Sequence, residues 1–520
     1  VGDSGASGAA RHPAWGVLPA SLLGGLLLAP TLFAGFFGDD FKLWHVARRM
    51  LDAPATLFVG SQNFYRPANS WLFAANHLLF GNDPLGYHAG TLALHLACGA
   101  LVGLLAARFV ASPWIAFGAA AAWTCSPYAF EPVQFVNVAY NDLTVLLVWL
   151  VLGVTWPGRG CTFTRWRVAA YAALVTFSLV CKESWVIVPG LVLAYERALR
   201  GVPWRTALRS ASIAALPVLA YVLAYPFVFP GRESYYDVGW WAASRAPHLW
   251  ASFSMLAELV PYKTGWGGTE WMGLALLIAT ALLGWRTRSR PILLGLALFV
   301  SSLAPVIFIP YLPTRYTTVP YAGFVLAACG VLVELVRLAG PRRRVAAAAG
   351  AALLASAHFG AGLLWLLGDV EDMQRLQHPH ETLVAEVAAF ADRIPVDRPV
   401  VCVRLESVDP LLRLDAEGAL GVPKLYFQRP ATPYGLADWA QLFTFARSGR
   451  GDEVLVDLGP DEAAADGPFA VVAHVPGGFV ELDPKTSRAR DELVYWQQAG
   501  RPACLVGPAA PAPGEAQASR

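Results

Sequence analysis

Charged side chains are scarce in this chain: Asp, Glu, Lys and Arg supply 15% of its 520 residues, where a soluble protein carries about 25%. With 56% hydrophobic residues besides, the shortage excludes an ordinary globular protein in water. The seven cysteines include no CxxC pair and have no His-rich run beside them, which removes the usual structural zinc sites. Cys98, Cys125, Cys181 and Cys329 fall in or at the ends of apolar runs and read as small core residues. Cys161 lies in a basic loop, and a Cys402–Cys504 disulfide is open if the C-terminal part faces an oxidising compartment. No clear small-residue cleavage site follows the first apolar run, so that run is expected to remain as a helix rather than leave as a signal peptide.

Long apolar stretches are what the chain has in abundance. They recur from Trp15 to Leu367 at roughly 20 residues each, enough to cross a hydrocarbon core of about 30 Å. The fold class expected is therefore an α-helical polytopic membrane protein of about eleven transmembrane helices, near 14–37, 87–110, 113–130, 142–157, 168–181, 184–196, 209–229, 271–285, 291–310, 317–336 and 345–367. With the N-terminus inside, Arg108, the Arg159/Arg165/Arg167 group, Arg197/Arg200/Arg205/Arg209, Arg286/Arg288/Arg290 and Arg337 with Arg342 to Arg344 all fall on the inner face, as the positive-inside rule requires. The opposite face receives Asp39-Asp40, Glu131, Asn141-Asp142, Lys182-Glu183, the stretch from Gly231 to Trp250, and Arg315-Tyr316. The formal net charge of +2 identifies no partner by its sum, and no nucleic acid is expected as one.

Three regions follow. Residues 1–368 form the membrane domain, with a long first outer loop at 38–86; 369–507 change to a soluble composition; 508–520 are Ala/Pro-rich and read as a disordered tail. Inside the first loop, Phe41–Leu51 and Ala68–Phe80 are amphipathic and read as interfacial helices, as does Leu249–Val260 further on. In the soluble part, Glu381–Ile394 reads as an amphipathic helix and Pro399–Leu405, Glu453–Leu458 and Phe469–His474 as strands, which makes a small extracytoplasmic α/β domain.

The polar residues of the outer face carry whatever chemistry there is. Asp39-Asp40, directly after the first span, either ends a helix at the water boundary or supplies a general base and a supporting acid. Two adjacent carboxylates repel, which raises the pKa of one; Mg²⁺ or Mn²⁺ is a candidate cofactor for the pair, although two carboxylates alone make an incomplete site. Lys182-Glu183 interrupts an apolar run where a charge costs roughly 2.5–3.5 kcal/mol at mid-membrane. It reads either as a mutual salt bridge or as Lys182 holding an anionic headgroup that Glu183 orients. Arg315, followed by Tyr316, is either a phosphate clamp or a cation snorkelling to lipid headgroups. Glu131 and Asn141-Asp142 bracket a connection, Pro127 to Tyr140, expected to be non-helical; they bind acceptor, order the first loop, or cap a helix. His88 and His95 share a helix face and read as buried, hydrogen-bonded histidines rather than metal ligands.

Taken in order, these residues resemble the GT-C superfamily of polytopic glycosyltransferases, in its protein O-mannosyltransferase-like and TMTC-like branch. The motifs behind the resemblance are Asp39-Asp40, Tyr65-Arg66-Pro67, Gly86-Tyr87-His88 with His95, Ser126-Pro127, Glu131-Pro132-Val133, Asn141-Asp142-Leu143, Cys181-Lys182-Glu183-Ser184, and Arg315-Tyr316 with Pro320 and Gly323. They span about residues 30–325. The resemblance implies inverting transfer of a sugar, hexosyl or mannosyl, from a polyprenyl-phosphate donor to an extracytoplasmic glycan, lipid or protein acceptor, in a membrane of the bacterial inner or plasma type. It implies Asp39 as the base with Asp40 in support, and Lys182, Arg315 and Tyr316 on the donor phosphate. Tyr65, Arg66, His88, Glu131, Asn141, Asp142 and Glu183 are then left to bind acceptor or order the loops. The chain departs from that pattern at Asn141, where an arginine is common, at Thr91, where an asparagine is, and in lacking a TPR array. A transporter or flippase of lipid-linked sugar, expected to show internal repeats and mid-membrane charges, is the alternative, as is an inactive scaffold of the same fold.

Overall fold

The computed structural model describes residues 12–36, 39–54, 66–182, 187–228, 269–303 and 317–391, together with five short strands beyond them. Helices dominate. They are α1 (His12–Leu28, continued by a 3-10 turn Ala29–Phe33), α2 (Asp39–Asp52), α3 (Pro67–Phe80), α4 (Pro84–Ala107), α5 (Pro113–Thr124), α6 (Thr144–Thr155) and α7 (Arg165–Leu179). After them come α8 (Val188–Tyr195), α9 (Trp204–Val228), α10 (Thr269–Thr287), α11 (Arg290–Leu303), α12 (Thr318–Leu338) and α13 (Gly340–Ala391).

Among the described residues, five helical segments are long and apolar enough to cross a membrane: Trp15–Phe33, Pro84–Ala107, Val136–Thr155, Thr318–Leu338 and Gly340–Arg375. The chain is thus a helical integral membrane protein. The remaining expected spans coincide with α5, α7, α8, α9, α10 and α11, which are shorter or more polar. Starts are set by proline in the first turn of α3, α4, α5 and α8, where its missing N–H costs nothing. Asp83 caps α4 by accepting from the Leu85 N–H at 3.0 Å, and Thr164 caps α7 from Arg167 at 3.3 Å.

Helix packing relies on small residues. A Cβ built on Gly103 of α4 would lie 2.6 Å from the Ala116 carbonyl oxygen of α5, and one on Gly16 of α1 would lie 2.0 Å from the Pro113 carbonyl oxygen. Gly24 of α1 and Gly99 of α4 both close on the Thr124 side chain. Backbones this close gain dispersion contact that lipid tails do not supply, the usual basis of helix association in a bilayer. Around this packing Trp44, Trp123, Trp149, Tyr87, Tyr140 and Tyr195 are fully buried.

Three expectations are corrected here. The connection from Pro127 to Tyr140 is helical, not irregular: it runs as a 3-10 turn Pro127–Ala129, short helices Glu131–Gln134 and Val136–Val138, and a π-helical turn Ala139–Leu143 that passes straight into α6. Its polar residues Asn137, Tyr140, Asn141 and Asp142 bond to side chains inside the protein, so the segment folds inward instead of looping through solvent. Asp39-Asp40 open a helix, α2, where negative charge meets the positive end of the dipole; they do not end one. The soluble helix expected at Glu381–Ile394 continues from the last span in one helix, α13, of 52 residues, which runs through Gly368 and Pro379 without a break.

Both amphipathic pieces of the first loop are helical, as α2 and α3. On α3, Asn69, Ser70, Phe73 and Ala74 are buried while Ala75, Leu78 and Leu79 are exposed, so its apolar face points away from the protein. Beyond α13 the strands β1 (Val400–Val403), β2 (Asp452–Val456), β3 (Ala470–Val475), β4 (Gly478–Leu482) and β5 (Ala503–Gly507) form a sheet of order β2-β5-β1-β3-β4. β1 and β3 pair in parallel and the other neighbours pair antiparallel. The expected interfacial helix Leu249–Val260 and the tail 508–520 lie outside the described residues.

Candidate functional site

The segment from Ser126 to Asp142 gathers side chains from across the chain. Asp40, in the first turn of α2 and 1% exposed, accepts a hydrogen bond on Oδ1 from the Asn137 backbone N–H at 2.8 Å. The Asn137 side chain in turn accepts on Oδ1 from Asn69 Nδ2 of α3 at 2.7 Å and from Asn141 Nδ2 at 2.9 Å. Two turns further along α3, Asn76 Nδ2 donates to the Tyr140 hydroxyl at 2.6 Å, and Phe73 meets the Tyr140 ring edge-on. The first loop is thereby fastened to the second through three carboxamides and a phenol.

Why the chain folds this way locally is legible in the π-helical turn Ala139–Leu143. Its wider winding shifts Asn141 and Asp142 relative to an α-helical course, and such turns recur where function needs a side chain displaced. Asp142, buried, forms a salt bridge with Lys182, also buried. The Lys182 end of α7 is itself fixed to α3, because the Ala68 N–H bonds to the Val180 carbonyl at 3.1 Å. The start of α12 is tied in as well: Thr318 Oγ1 donates to the Tyr128 carbonyl at 2.9 Å.

Set against the sequence reading, the structure brings together Asp40, Asn141, Asp142 and Lys182. Lys182 pairs with Asp142 of the π-helical turn. Asn141 and Asp142 sit within a continuous helix and cap nothing. Arg66 is the residue before α3, and its carbonyl accepts from the Asn69 N–H at 3.1 Å. Glu131 opens the short helix Glu131–Gln134 and is partly buried. His88 is fully buried and its Nε2 lies 3.1 Å from the Gly35 carbonyl, at the exit of the first span; His95 Nε2 lies 2.9 Å from the Thr124 carbonyl. Both histidines are therefore structural bonds between helices. Thr91 Oγ1 lies 2.9 Å from the His88 carbonyl and 3.3 Å from that of Val133.

Tyr65, Glu183, Arg315 and Tyr316 lie outside the described residues, as does the side chain of Asp39. Among the described residues no group of three or more His, Cys, Asp or Glu is placed to hold a metal ion.

Asn69, Asn76, Asn137 and Tyr140 were not singled out by the sequence reading as site residues. A signal was present: Asn69 and Asn76 are seven apart on one helix, Asn137 and Asn141 four apart on another. Carboxamides at helical spacing inside apolar segments are expensive to bury unless they bond each other.

No family model, curated protein or solved structure matches this chain. The site holds a buried carboxylate at the head of α2, oriented by a backbone N–H, and a buried ion pair between the π-helical turn and the chain just after α7.

Proposed function

We propose that this protein is a membrane glycosyltransferase of GT-C type, moving a sugar from a polyprenyl-phosphate donor to an extracytoplasmic acceptor with inversion. The observation that carries this reading is the Asp40–Asn137 hydrogen bond, which fixes the acidic head of the first outer helix against the second outer connection. A sugar hydroxyl is a poor nucleophile, and a carboxylate held at a membrane exit is placed to orient it and take its proton as it attacks.

In this proposal Asp39 is the base and Asp40 anchors the helix that presents it. The acceptor oxygen forms a bond to the anomeric carbon as the bond from that carbon to the phosphate oxygen breaks. The electron pair leaves on the polyprenyl phosphate, and the acceptor's proton passes to the Asp39 carboxylate. Lys182 and Arg315, with Tyr316 beside it, stabilise the charge growing on the departing phosphate. Asp142 holds Lys182 in place, and Asn69, Asn137 and Asn141 hold the first loop. Mg²⁺ or Mn²⁺ remains an optional partner of the acidic pair in this reading, and no step depends on it.

The architecture proposed with it has eleven spans, the long first loop outside, and a small extracytoplasmic α/β domain built on the five-stranded sheet. The membrane is of the bacterial inner or plasma type. The test is transfer from a panel of labelled polyprenyl-phosphate sugars in proteoliposomes, wild type against Asp39→Asn. Turnover by wild type that drops by two orders of magnitude or more in a folded Asp39→Asn variant is expected. Unchanged turnover in the variant moves the base elsewhere, and a folded wild type inert to every donor removes the transferase reading.

A further inference from the structure

A second charged cluster lies at the far end of the same helix. The segment Val136–Thr155 covers 20 residues, so its two ends are about 30 Å apart. Past its C-terminal end, three separate connections bring arginines around Gly201. Arg159 belongs to the turn after α6, Arg197 and Arg200 to the π-helical turn Glu196–Arg200, and Arg290 to the first position of α11.

Two of these arginines have protein partners that account for them. Arg200 donates to both Glu196 oxygens, at 2.9 and 2.8 Å, and to the Cys161 carbonyl at 3.3 Å. Arg197 donates to the Val202 carbonyl and lies over the Trp204 ring, 4.4 Å from its centroid. Arg159 and Arg290 differ. Among the described residues neither has an ion pair, and Glu196, the buried acid of the cluster, is already engaged on both oxygens.

Their guanidinium groups nevertheless converge. Gly201 ends the π-helical turn in the left-handed region at φ +68°. A Cβ built there would sit 3.0 Å from Arg159 Nε, 3.3 Å from Arg159 Nη2 and 3.4 Å from Arg290 Nη2. Both cations therefore pack over the Gly201 Cα, where a side chain on residue 201 would crowd them. Like charges brought this near repel, and a bound anion between them would reverse the sign of the interaction. The guanidinium fork matches the oxygens of a phosphate.

The surroundings identify the source of that phosphate. Trp166, Trp204 and Trp285 are exposed, stand near the start of α7, the start of α9 and the end of α10, and each adjoins an arginine: Arg165, Arg205 and Arg286. Exposed tryptophans at the ends of apolar helices mark the headgroup layer. We propose that Arg159 and Arg290, facing each other across Gly201, bind the phosphate of an anionic lipid in the leaflet opposite the candidate active site. Arg197, held on Trp204, adds positive potential at its edge. The assignment is independent of what the protein transfers.

The test uses the full chain purified in neutral detergent. Binding of phosphatidylglycerol and phosphatidylcholine is followed by native mass spectrometry, and thermal protection is measured with each lipid and with inorganic phosphate at matched ionic strength. The variants are Arg159→Gln/Arg290→Gln and, as a control with equal loss of charge, Arg342→Gln/Arg343→Gln. Wild type should prefer phosphatidylglycerol by tenfold or more; the first pair should abolish that preference and the control pair should keep it. Should the double variant fold poorly, Arg159→Gln alone, at an exposed side chain, should reduce the preference at least threefold. Equal loss in the control pair, no preference in wild type, or protection by inorganic phosphate that matches the lipid would each overturn the lipid site.

Discussion

Asp40 and Asn137 stand 97 positions apart and meet through one hydrogen bond of 2.8 Å, the Asn137 backbone N–H donating to the Asp40 carboxylate. A side chain at the head of α2 is thus read by the backbone of the short helix Val136–Val138, and the two cannot shift independently. Replacing the carboxylate by a methyl leaves a buried N–H without its acceptor, a loss of about 1–3 kcal/mol. Asp40→Ala is therefore expected to unfold earlier than wild type by that amount in detergent, while Asp40→Asn, whose Oδ1 still accepts, should lose less than half as much. Equal stability of Asp40→Ala and wild type would remove the bond from any account of the site.

Lys182 and Asp142 make the second fixed relationship, a buried pair from two different connections. Removing one member strands the other's charge in a poorly solvated place, which costs about 3–5 kcal/mol, whereas removing both for apolar residues of similar size is often neutral. Lys182→Met should accordingly be strongly destabilised, and Lys182→Met/Asp142→Leu should recover most of the lost stability, measured by chemical unfolding. Transfer activity separates structure from chemistry. If Lys182 also meets the donor phosphate, the double variant regains stability but stays inactive; a stable and active double variant would make the lysine structural only.

The carboxamides of Asn69 and Asn141 share one acceptor, Asn137 Oδ1. Groups with a common partner respond to mutation together rather than separately. A double-mutant cycle on Asn69→Ala and Asn141→Ala should give a coupling of about 0.5–3 kcal/mol, read from unfolding midpoints. Asn76→Ala, bonded instead to Tyr140, should couple to Tyr140→Phe. Strict additivity of Asn69→Ala and Asn141→Ala would show that the hub is two unrelated contacts.

Much of this arrangement was legible beforehand, and the parts that were not share a cause. The amphipathic pieces of the first loop became α2 and α3 because their apolar periodicity is local. His88 and His95 were legible as buried bonded histidines because a seven-residue spacing on an apolar helix leaves them little else. Lys182 pairs with Asp142, forty positions away, a contact the sequence does not single out, while Glu183 lies outside the described residues. Sequence proximity says nothing of contacts made by tertiary packing. The inward fold of residues 127–143 was missed because its proline and polar residues mimic a loop, and their partners, Asp40, Asn69 and Lys182, come from outside it. The last span and the helix after it merge although Gly368 and Pro379 lie between them, the residues that sequence reading takes as a break.

Gly295 of α11 and Gly323 of α12 face each other where these helices cross. A Cβ on Gly323 would lie 2.5 Å from the Phe299 backbone nitrogen and 2.6 Å from the Gly295 carbonyl oxygen, and one on Gly295 would lie 2.5 Å from the Gly323 carbonyl oxygen. The obstacles are backbone atoms, which cannot turn aside as a side chain would. Gly323→Ala and Gly295→Ala are each expected to destabilise by about 1–3 kcal/mol, the range for overpacking. Gly118→Ala, where a Cβ would meet nothing within 4 Å, should be neutral or slightly stabilising. A thermal shift for Gly323→Ala no larger than that for Gly118→Ala would contradict the close crossing.

The cysteines test orientation. Cys402 of β1 and Cys504 of β5 are direct partners in the antiparallel register, and residues so placed have Cα atoms about 4.5–5.5 Å apart, within the 4.4–6.8 Å or so that a disulfide spans. If the sheet faces an oxidising compartment, as the proposed topology requires, these two should bond, whereas Cys161, exposed on the arginine-rich side, should stay a free thiol. A membrane-impermeant maleimide should then leave Cys161 unlabelled in intact cells and label it in inverted vesicles. Cys402 and Cys504 should resist alkylation in the denatured protein until a reductant is added, then react together. Labelling of Cys161 from outside would reverse the whole alternation of spans, because Arg159, Cys161 and Arg165 occupy one short connection. Free Cys402 and Cys504, with Cys161 reached from inside, would leave the membrane topology standing but place the sheet on the reducing side, and α13 would then have to return the chain across the membrane a different way.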